Sequence, residues 1–300
     1  MSDIAVISGS SNMPLSYILA KKLKVDLTQV EIRRFPDNEK YVRIDGDVNG
    51  KNAVIVQSMA FKPDEYLIES LLLASAAKDA GAKSVTLAAA YFPYARQDER
   101  FKPGEPISVA VVAQLLSTAG IDNLITVDVH RHRVLDFASI FKGKWVDVSV
   151  MPYLVDYGLK AGLVEKDTFI VGPDSEAMQW AKIAAESAGL SNYGALRKKR
   201  FGDTEVTVSG DLNLEGKKVF IVDDIISTGS TIIEASKTIK EMGGKLTGVA
   251  CAHGLFVNDA LYRLYKEGIT EVYSSDTVPN QTTRVSSAEA LSKGILEILA

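Results

Sequence analysis

Between Val219 and Thr231 the sequence passes from an apolar run to two aspartates and then to a loop of hydroxyl residues around Gly229. The apolar run 219–222 predicts a strand that is buried on both faces, which is typical of a parallel sheet. In the loop, a glycine followed by Ser230 and Thr231 lets backbone N–H groups converge on an anion where the next helix begins. The stretch therefore predicts a parallel strand, an anion-binding turn and a helix in direct succession.

The two aspartates, Asp223 and Asp224, cannot serve the same anion as the loop. Carboxylates at the carboxyl end of a strand suit a pair of sugar hydroxyls or a hydrated divalent ion. We therefore expect a ligand with a phosphate at one end and neighbouring hydroxyls at the other, and ribose 5-phosphate has that shape. The alternative is an Asp-rich turn that only caps the following helix.

Elsewhere in the chain, short β-rich runs alternate with amphipathic helical stretches, which favours an α/β fold with central parallel sheets flanked by helices. A length of 300 residues suits two domains, since domains of about 150 residues are common. We predict similar domains over 1–146 and 147–300, with the last helix packing back on the first domain. Because no low-complexity linker separates them, a ligand site in the crevice between domains is expected.

Short sequence patterns predict the individual strands and helices near the motifs. The predicted strand 218–222 ends before the aspartates, and a helix follows from about 230 to 242. Strands 30–35 and 41–44 are predicted to form a hairpin. The basic segment 196–202 lacks periodicity and is not predicted to be a strand.

Two strand ends look alike, 125–130 and 220–225, since each carries apolar residues followed by Val-Asp. We interpret the likeness as a weak internal duplication. In this interpretation one copy keeps the phosphate loop and the other has replaced it with histidines.

Composition excludes several classes of function. A formal net charge of −4 gives no electrostatic case for nucleic-acid binding, so a polyphosphate ligand would need local positive charge or a metal ion. No apolar run approaches the roughly 18 residues that cross a bilayer, and the first residues lack the pattern of a signal peptide. We therefore expect a cytoplasmic protein. The single cysteine, Cys251, is predicted to be a core thiol.

The 219–231 stretch resembles the phosphoribosyl-diphosphate signature of type I phosphoribosyltransferases and of ribose-phosphate pyrophosphokinases. Further segments resemble pyrophosphokinase motifs in family order: Phe35-Pro36-Asp37-Asn38-Glu39, Tyr94-Ala95-Arg96-Gln97-Asp98, Glu105-Pro106-Ile107-Ser108, Val127-Asp128-Val129-His130, Gly172-Pro173-Asp174 and His253-Gly254-Leu255-Phe256. A transferase lacks the first four. The resemblance covers nearly the whole chain and implies a type I phosphoribosyltransferase-like fold in both domains. Val48-Asn49-Gly50 and the short segment 100–104 resemble archaeal members.

The resemblance implies that ATP transfers its diphosphoryl group to the C1 hydroxyl of ribose 5-phosphate, giving 5-phosphoribosyl 1-diphosphate and AMP. Positioning and charge stabilisation carry such chemistry. The implied ribose 5-phosphate residues are Arg200, Asp223, Asp224, Ser227, Thr228, Gly229, Ser230 and Thr231. Many members have Asp where this chain has Ser227, so its phosphate loop is less acidic.

The implied ATP residues are Phe35, Asp37, Asn38, Glu39, Arg96 and Gln97. Phe35 could stack on adenine, while the planar cation of Arg96 suits phosphates or the base. Without the resemblance, residues 35–39 would be an exposed hairpin tip and 96–100 a solvated charge cluster. Asn38 takes the usual glycine position, which Asn tolerates because it adopts positive φ more readily than most residues.

Mg²⁺ is the implied cofactor, held by His130 and Asp174 against the ATP phosphates; magnesium keeps much of its water, so few protein ligands are expected. Lys198 and Arg200 are the implied catalytic residues, on a mobile loop that closes over ATP. Arg197-Lys198-Lys199 is a competing register for this Lys-x-Arg motif, and a solvated basic run is the alternative.

In the family the hairpin often reaches a neighbouring subunit's ATP site, so we expect a homo-oligomer with the ATP site near a subunit interface. Three other functions are consistent with parts of the sequence. They are a base phosphoribosyltransferase, a non-catalytic regulatory paralogue and a structural module that binds ATP without forming AMP. Val48-Asn49-Gly50 lacks the arginine that family members inhibited by ADP often carry, so we do not expect inhibition by ADP at that segment.

Overall fold

The structure is a computed structural model that describes residues 3–130, 137–201, 204–209 and 212–300, with backbone alone at 137–138, 197–201 and 204–209. The chain divides into two compact units. The first comprises Met1–Ser149 together with Ser287–Ala300, and the second comprises Val150–Ser286.

The first unit contains a parallel sheet and a separate antiparallel hairpin. Its strands are β1 (Ile4–Ser8), β2 (Leu27–Thr28), β3 (Val30–Arg34), β4 (Lys40–Ile44), β5 (Asn52–Ser58), β6 (Ser84–Tyr91), β7 (Asn123–Val127) and β8 (Lys144–Val148). Its helices are α1 (Met13–Leu23), α2 (Pro63–Asp79), α3 (Ser108–Thr118) and α4 (Phe137–Ile140). The sheet order is β2-β1-β5-β6-β7-β8, and β3 pairs with β4.

The second unit is built on a larger sheet. Its strands are β9 (Phe169–Gly172), β10 (Tyr193–Phe201), β11 (Thr204–Ser209), β12 (Lys218–Ile226), β13 (Lys245–Gly254), β14 (Val272–Ser275) and β15 (Thr283–Val285). Its helices are α5 (Met151–Lys160), α6 (Met178–Ser187), α7 (Ser230–Glu241) and α8 (Ala260–Lys266). The last helix, α9 (Ala288–Leu299), belongs to the first unit, where it packs on α1 and β8. The sheet order is β11-β10-β9-β12-β13-β14-β15.

The central strands are buried on both faces because helices cover both sides of each sheet. In the first unit Ile7, Ile55 and Leu87 are fully buried in one apolar cluster with residues of α2 and α3. In the second unit Ile221 and Val249 lie in an equivalent cluster with residues of α7. Burying one such side chain stabilises the fold by about 1.5–3 kcal/mol, so these strands form a rigid platform for the residues at their carboxyl ends.

The two units repeat the same order of elements. In each, a strand, helix and strand lead to an antiparallel hairpin, and a second strand then starts a run of parallel crossovers. By position in the sheet, β12 is the counterpart of β5. The structure therefore agrees with an internal duplication, but the predicted equation of 125–130 with 220–225 is wrong, since 125–130 includes part of β7, the counterpart of β14. The two segments look alike because buried parallel strands share a composition, not because they share a place in the fold.

Two further expectations change. The strand predicted to end at Val222 continues to Ile226, because β13 is long enough to pair with it as far as Gly254. The basic segment 196–202 includes the end of a strand, since β10 pairs antiparallel with β11 from Leu196 to Phe201. A hairpin ladder supplies the backbone pairing there without apolar alternation. The hairpin predicted over 30–44 is confirmed.

Candidate functional site

The candidate site of the second unit lies at the carboxyl ends of β9 and β12. These strands are parallel neighbours. The chain leaves β9 through α6 toward β10 on one side, and it leaves β12 through α7 toward β13 on the other. In open α/β sheets the crevice at such a switch point is where ligands bind. The topology therefore brings Asp174, which follows β9, to the same edge as Asp223, Asp224 and the hydroxyl loop.

The loop after β12 has the geometry of an anion-binding turn. Gly229 has φ 76° and ψ 0° in the left-handed region, and α7 begins at Ser230. The hydroxyls of Thr228 and Ser230 lie 3.2 Å apart. The loop is tied at its start by the N–H of Val257, which donates to the carbonyl of Ser227 at 3.0 Å. A residue with a side chain would be strained at Gly229, so the sequence pattern and the backbone agree.

A residue that the sequence did not indicate braces this loop. Arg263 of α8 donates from Nη1 to the carbonyl of Thr228 and from Nη2 to Oγ of Ser230, both at 3.2 Å. Because a trans peptide directs its C=O and N–H to opposite sides, holding the Thr228 carbonyl toward Arg263 turns the N–H of Gly229 the other way. Arg263 thus fixes the peptide plane of the turn and adds positive charge beside it.

The carboxylates at this edge repel one another. Burial raises the pKa of Asp223 well above its ordinary value, and the charges of Asp224 and Asp174 raise it further. The backbone N–H of Asp224 donates to Oδ1 of Asp223 at 3.0 Å. This excess of negative charge favours ligands that bring hydroxyl donors or a cation.

Asp174 is positioned by the turn between β9 and α6. Its Oδ1 accepts from the backbone N–H of Glu176 at 3.0 Å and of Ala177 at 3.2 Å. A Cβ on Gly172 would lie 2.8 Å from the carbonyl carbon of Ala177. Only glycine therefore lets the end of β9 approach the start of α6, which explains the first residue of Gly172-Pro173-Asp174.

In the first unit the tip of the β3–β4 hairpin presents Phe35, Asp37, Asn38 and Glu39 as exposed residues. The tip is closed by hydrogen bonds from Phe35 N to Glu39 O and from Asn38 N to Phe35 O, both at 2.9 Å. Asn38 has φ 72°, so it adopts the positive φ expected of it. The Phe35 ring meets Tyr41 edge-on with centroids 5.7 Å apart. The contact with Tyr41 thus orients the Phe35 ring at the exposed tip.

Arg96 and Gln97 lie in the loop between β6 and α3. Arg96 is exposed, whereas Gln97 is partly buried and accepts a hydrogen bond from the Ser108 hydroxyl at the start of α3. The neighbouring Asp98 was not chosen from the sequence. It is buried, and its Oδ2 has no hydrogen-bond partner in the described part of the chain.

The structure gives less detail on the predicted metal ligands and catalytic residues. His130 follows β7 and is partly buried in the first unit, while Asp174 belongs to the second. Among the described residues, no three His, Cys, Asp or Glu side chains are grouped to hold a metal ion. The backbones of Lys198 and Arg200 lie in β10, opposite Thr207 and Glu205 of β11; their side chains, like Gly202, lie outside the described part.

Comparison with known proteins decides the family. Residues 4–120 match the N-terminal domain of ribose phosphate pyrophosphokinase, and residues 159–287 match the phosphoribosyl transferase domain. The chain is 37% identical to the ribose-phosphate pyrophosphokinase of Methanobrevibacter smithii over 95% of its length and 98% of that protein. The corresponding protein of Pyrococcus furiosus is 38% identical, over 88% of this chain and 91% of its own. The chain belongs to the ribose-phosphate pyrophosphokinase family.

A solved structure agrees with this assignment. The phosphoribosylpyrophosphate synthetase from Mycobacterium smegmatis superposes with a TM-score of 0.86 at 30% identity, covering 99% of each chain. The predicted family, with its archaeal likeness, and the α/β fold class are therefore confirmed. As a member of this family the chain is a ribose-phosphate diphosphokinase, an enzyme of nucleotide biosynthesis. In the described part of the chain, no helix is both long and apolar enough to cross a membrane.

Proposed function

We propose that this ribose-phosphate pyrophosphokinase binds ribose 5-phosphate in its second unit and ATP mainly on residues of its first. The observation that carries the acceptor half is the turn at Gly229, whose left-handed backbone and braced peptide plane suit a phosphate. Ser227 to Thr231 bind the 5-phosphate. Asp223 and Asp224 accept from the sugar hydroxyls or hold a magnesium ion between them. Either partner offsets the burial and relieves the repulsion by Asp224 and Asp174 that together raise the pKa of Asp223.

The donor half rests on the exposed residues of the first unit. Phe35 stacks on the adenine, while Asp37, Asn38 and Glu39 bond its amino group or the ribose. Arg96 supplies positive charge to the phosphates, and the amide of Gln97 is oriented by Ser108. The hairpin tip is exposed in a single chain, so it is accessible to complete an ATP site near a subunit interface in the proposed homo-oligomer.

Mg²⁺ is the proposed metal, with His130 and Asp174 as its protein ligands. A sparse set fits magnesium, which keeps several waters and takes other oxygens from substrate phosphates. When bound, the ion neutralises the charge of the phosphate groups during transfer. The carboxylate excess around Asp174 and Asp223 is consistent with a divalent ion here.

Lys198 and Arg200 are the proposed catalytic residues. The acceptor hydroxyl attacks the β-phosphorus and AMP leaves, so two cations on the β10–β11 hairpin would stabilise the negative charge of the transferred group. A transferase that uses a free base would account for residues 159–287 but not for the match over 4–120.

The division of the substrates, with ribose 5-phosphate bound by the second unit and ATP mainly by the first, is tested by comparing Arg263→Ala with Arg96→Ala in steady-state kinetics. We expect Arg263→Ala to raise KM for ribose 5-phosphate about three- to tenfold, as loss of one or two exposed hydrogen bonds does, without changing KM for ATP. Arg96→Ala should do the reverse. Equal changes in both constants for either variant would contradict the division.

A further inference from the structure

The first unit has a switch point of its own, between β1 and β5, and the protein's own polar side chains fill it. Glu69 of α2 is 0% exposed. It accepts from the backbone N–H and the hydroxyl of Ser10, both at 2.7 Å, and from Nε2 of Gln57 at 2.8 Å. These bonds join the loop after β1, the end of β5 and the helix that follows β5.

The same place in the second unit carries the phosphate loop and its aspartates. In the first unit the loop is packed against Gln57, since a Cβ on Gly9 would lie 2.5 Å from its Oε1. Ser11 also bonds Gln57, and the N–H of Ser58 donates to Oγ of Ser11 at 2.8 Å. The crevice that binds ligand in one unit is therefore closed by internal hydrogen bonds in the other.

This closed crevice is connected to the hairpin tip through Lys40. Lys40 is the first residue after the tip, and its side chain is 9% exposed. Its ammonium forms ion pairs with Glu69 and, at 3.3 Å, with Glu65 one turn earlier on α2. Burial raises the pKa of Glu69, but hydrogen bonds from Lys40 and Ser10 outweigh it and leave that pKa below its ordinary value. Glu69 is thus ionised at neutral pH.

The other strand of the hairpin is tied to the same helix. Arg34, the last residue before the tip, pairs with Glu65 and donates from Nη1 to the carbonyl of Asn38 at 2.6 Å. Arg34 of β3 and Lys40 of β4 therefore both form ion pairs with α2 at the base of the tip. Arg34 also donates a hydrogen bond to the tip itself.

We propose that Lys40 and Glu69, together with Arg34 and Glu65, are positioning residues that hold the hairpin tip in its ATP-binding conformation. This inference rests on the proposed role of residues 35–39 in binding ATP. The tip is short, polar and exposed, so without these ion pairs it would sample many orientations. Ordering the tip when ATP binds would then cost free energy and weaken the affinity for ATP. The desolvation cost of a buried ion pair such as Lys40–Glu69 offsets much of its attraction, so we assign this pair a role in geometry rather than in stability.

The test is Lys40→Gln, with Lys78→Gln as the matched control. Lys78 lies on α2 and forms an ion pair of 2.6 Å with Asp122, far along the helix from the hairpin. We expect Lys40→Gln to raise KM for ATP roughly tenfold, with kcat at saturating ATP changed less than about threefold and KM for ribose 5-phosphate unchanged. Lys78→Gln should leave all three constants as in the wild type. Hydrogen–deuterium exchange of the tip should be faster only in Lys40→Gln.

A purely structural role predicts a different result, namely a lower melting temperature and a smaller active fraction with an unchanged KM for ATP. That result, or an equal rise in both KM values, would overturn the proposal. If Lys40→Gln does not fold, Glu65→Gln at the more exposed end of the cluster decides by the same criteria. Glu39→Ala separates the two hypotheses. If this tip variant leaves KM for ATP unchanged, the ATP role of the tip is wrong; if it raises KM while Lys40→Gln does not, only the positioning role is wrong.

Discussion

Gly229 offers a quantitative test of the phosphate loop, because its backbone conformation and its surroundings separate two possible effects of a side chain. A Cβ at Gly229 would meet Leu264 and Ala260 at 3.4–3.6 Å, which is ordinary van der Waals contact. Its φ of 76° is the difficulty, since a left-handed conformation costs an L-residue roughly 1–2 kcal/mol. Gly229→Ala should therefore favour a relaxed loop that must return to the strained form when phosphate binds.

A cost of about 1–2 kcal/mol corresponds to a change of about 5- to 30-fold in an equilibrium constant. We expect Gly229→Ala to raise KM for ribose 5-phosphate by that factor, measured by initial rates of AMP formation, with KM for ATP unchanged. Gly229→Asn should lose less, because Asn tolerates this region.

Gly216→Ala is the control. Gly216 has φ +66° with open space around it, so alanine there carries a similar backbone cost at a turn outside the site. It should lower the melting temperature without altering either KM. A wild-type KM for ribose 5-phosphate in Gly229→Ala, or the same kinetic effect in Gly216→Ala, would show that the left-handed backbone at Gly229 is not required for phosphate binding.

Two further predictions concern the charges of the site. Lys198→Ala should lower turnover by about two orders of magnitude or more with little change in ATP affinity, because its ammonium acts mainly on the transition state; wild-type-like turnover would reject the assignment. Asp223→Asn should abolish activity yet raise the melting temperature of the ligand-free protein by about 2 °C or more, since it removes a carboxylate that burial and two like charges destabilise. Because the pKa of Asp223 is raised in the folded protein, its contribution to the free energy of unfolding declines as pH rises from about 3.9, the ordinary value for Asp, toward the raised value. Calorimetry should therefore show a weaker dependence of stability on pH in Asp223→Asn than in the wild type. The same dependence in both proteins would exclude the repulsion.

What could be predicted from the sequence is local in origin. The strand, turn and helix around Gly229 follow from an apolar run, a glycine and the hydroxyls beside it, all within a few residues. The hairpin over 30–44 and the parallel α/β class follow from the same short-range patterns. The length of β12 was underestimated because Asp223 and Asp224 look like a strand end, whereas pairing with β13 carries the ladder past them.

What could not be predicted depends on distant contacts. Arg263 looks like any charged residue of a helix, and only the packing of α8 brings it to Thr228. Glu69 and Lys40 are equally ordinary in the sequence, and the fold buries them together. The counterpart of β12 is identified by its position in the sheet. Local sequence similarity contains no information about the order of strands in a sheet.

We expect this chain to transfer the diphosphoryl group of ATP to ribose 5-phosphate, with release of AMP and without a third substrate, and one measurement tests this activity directly. Purified protein is incubated with ATP, ribose 5-phosphate and Mg²⁺ in the absence of any nucleobase, and AMP and 5-phosphoribosyl 1-diphosphate are quantified together. Both products should form in equal amounts, and neither should form when ribose 5-phosphate is left out. Folded protein that binds ATP but forms no AMP under these conditions would exclude this activity.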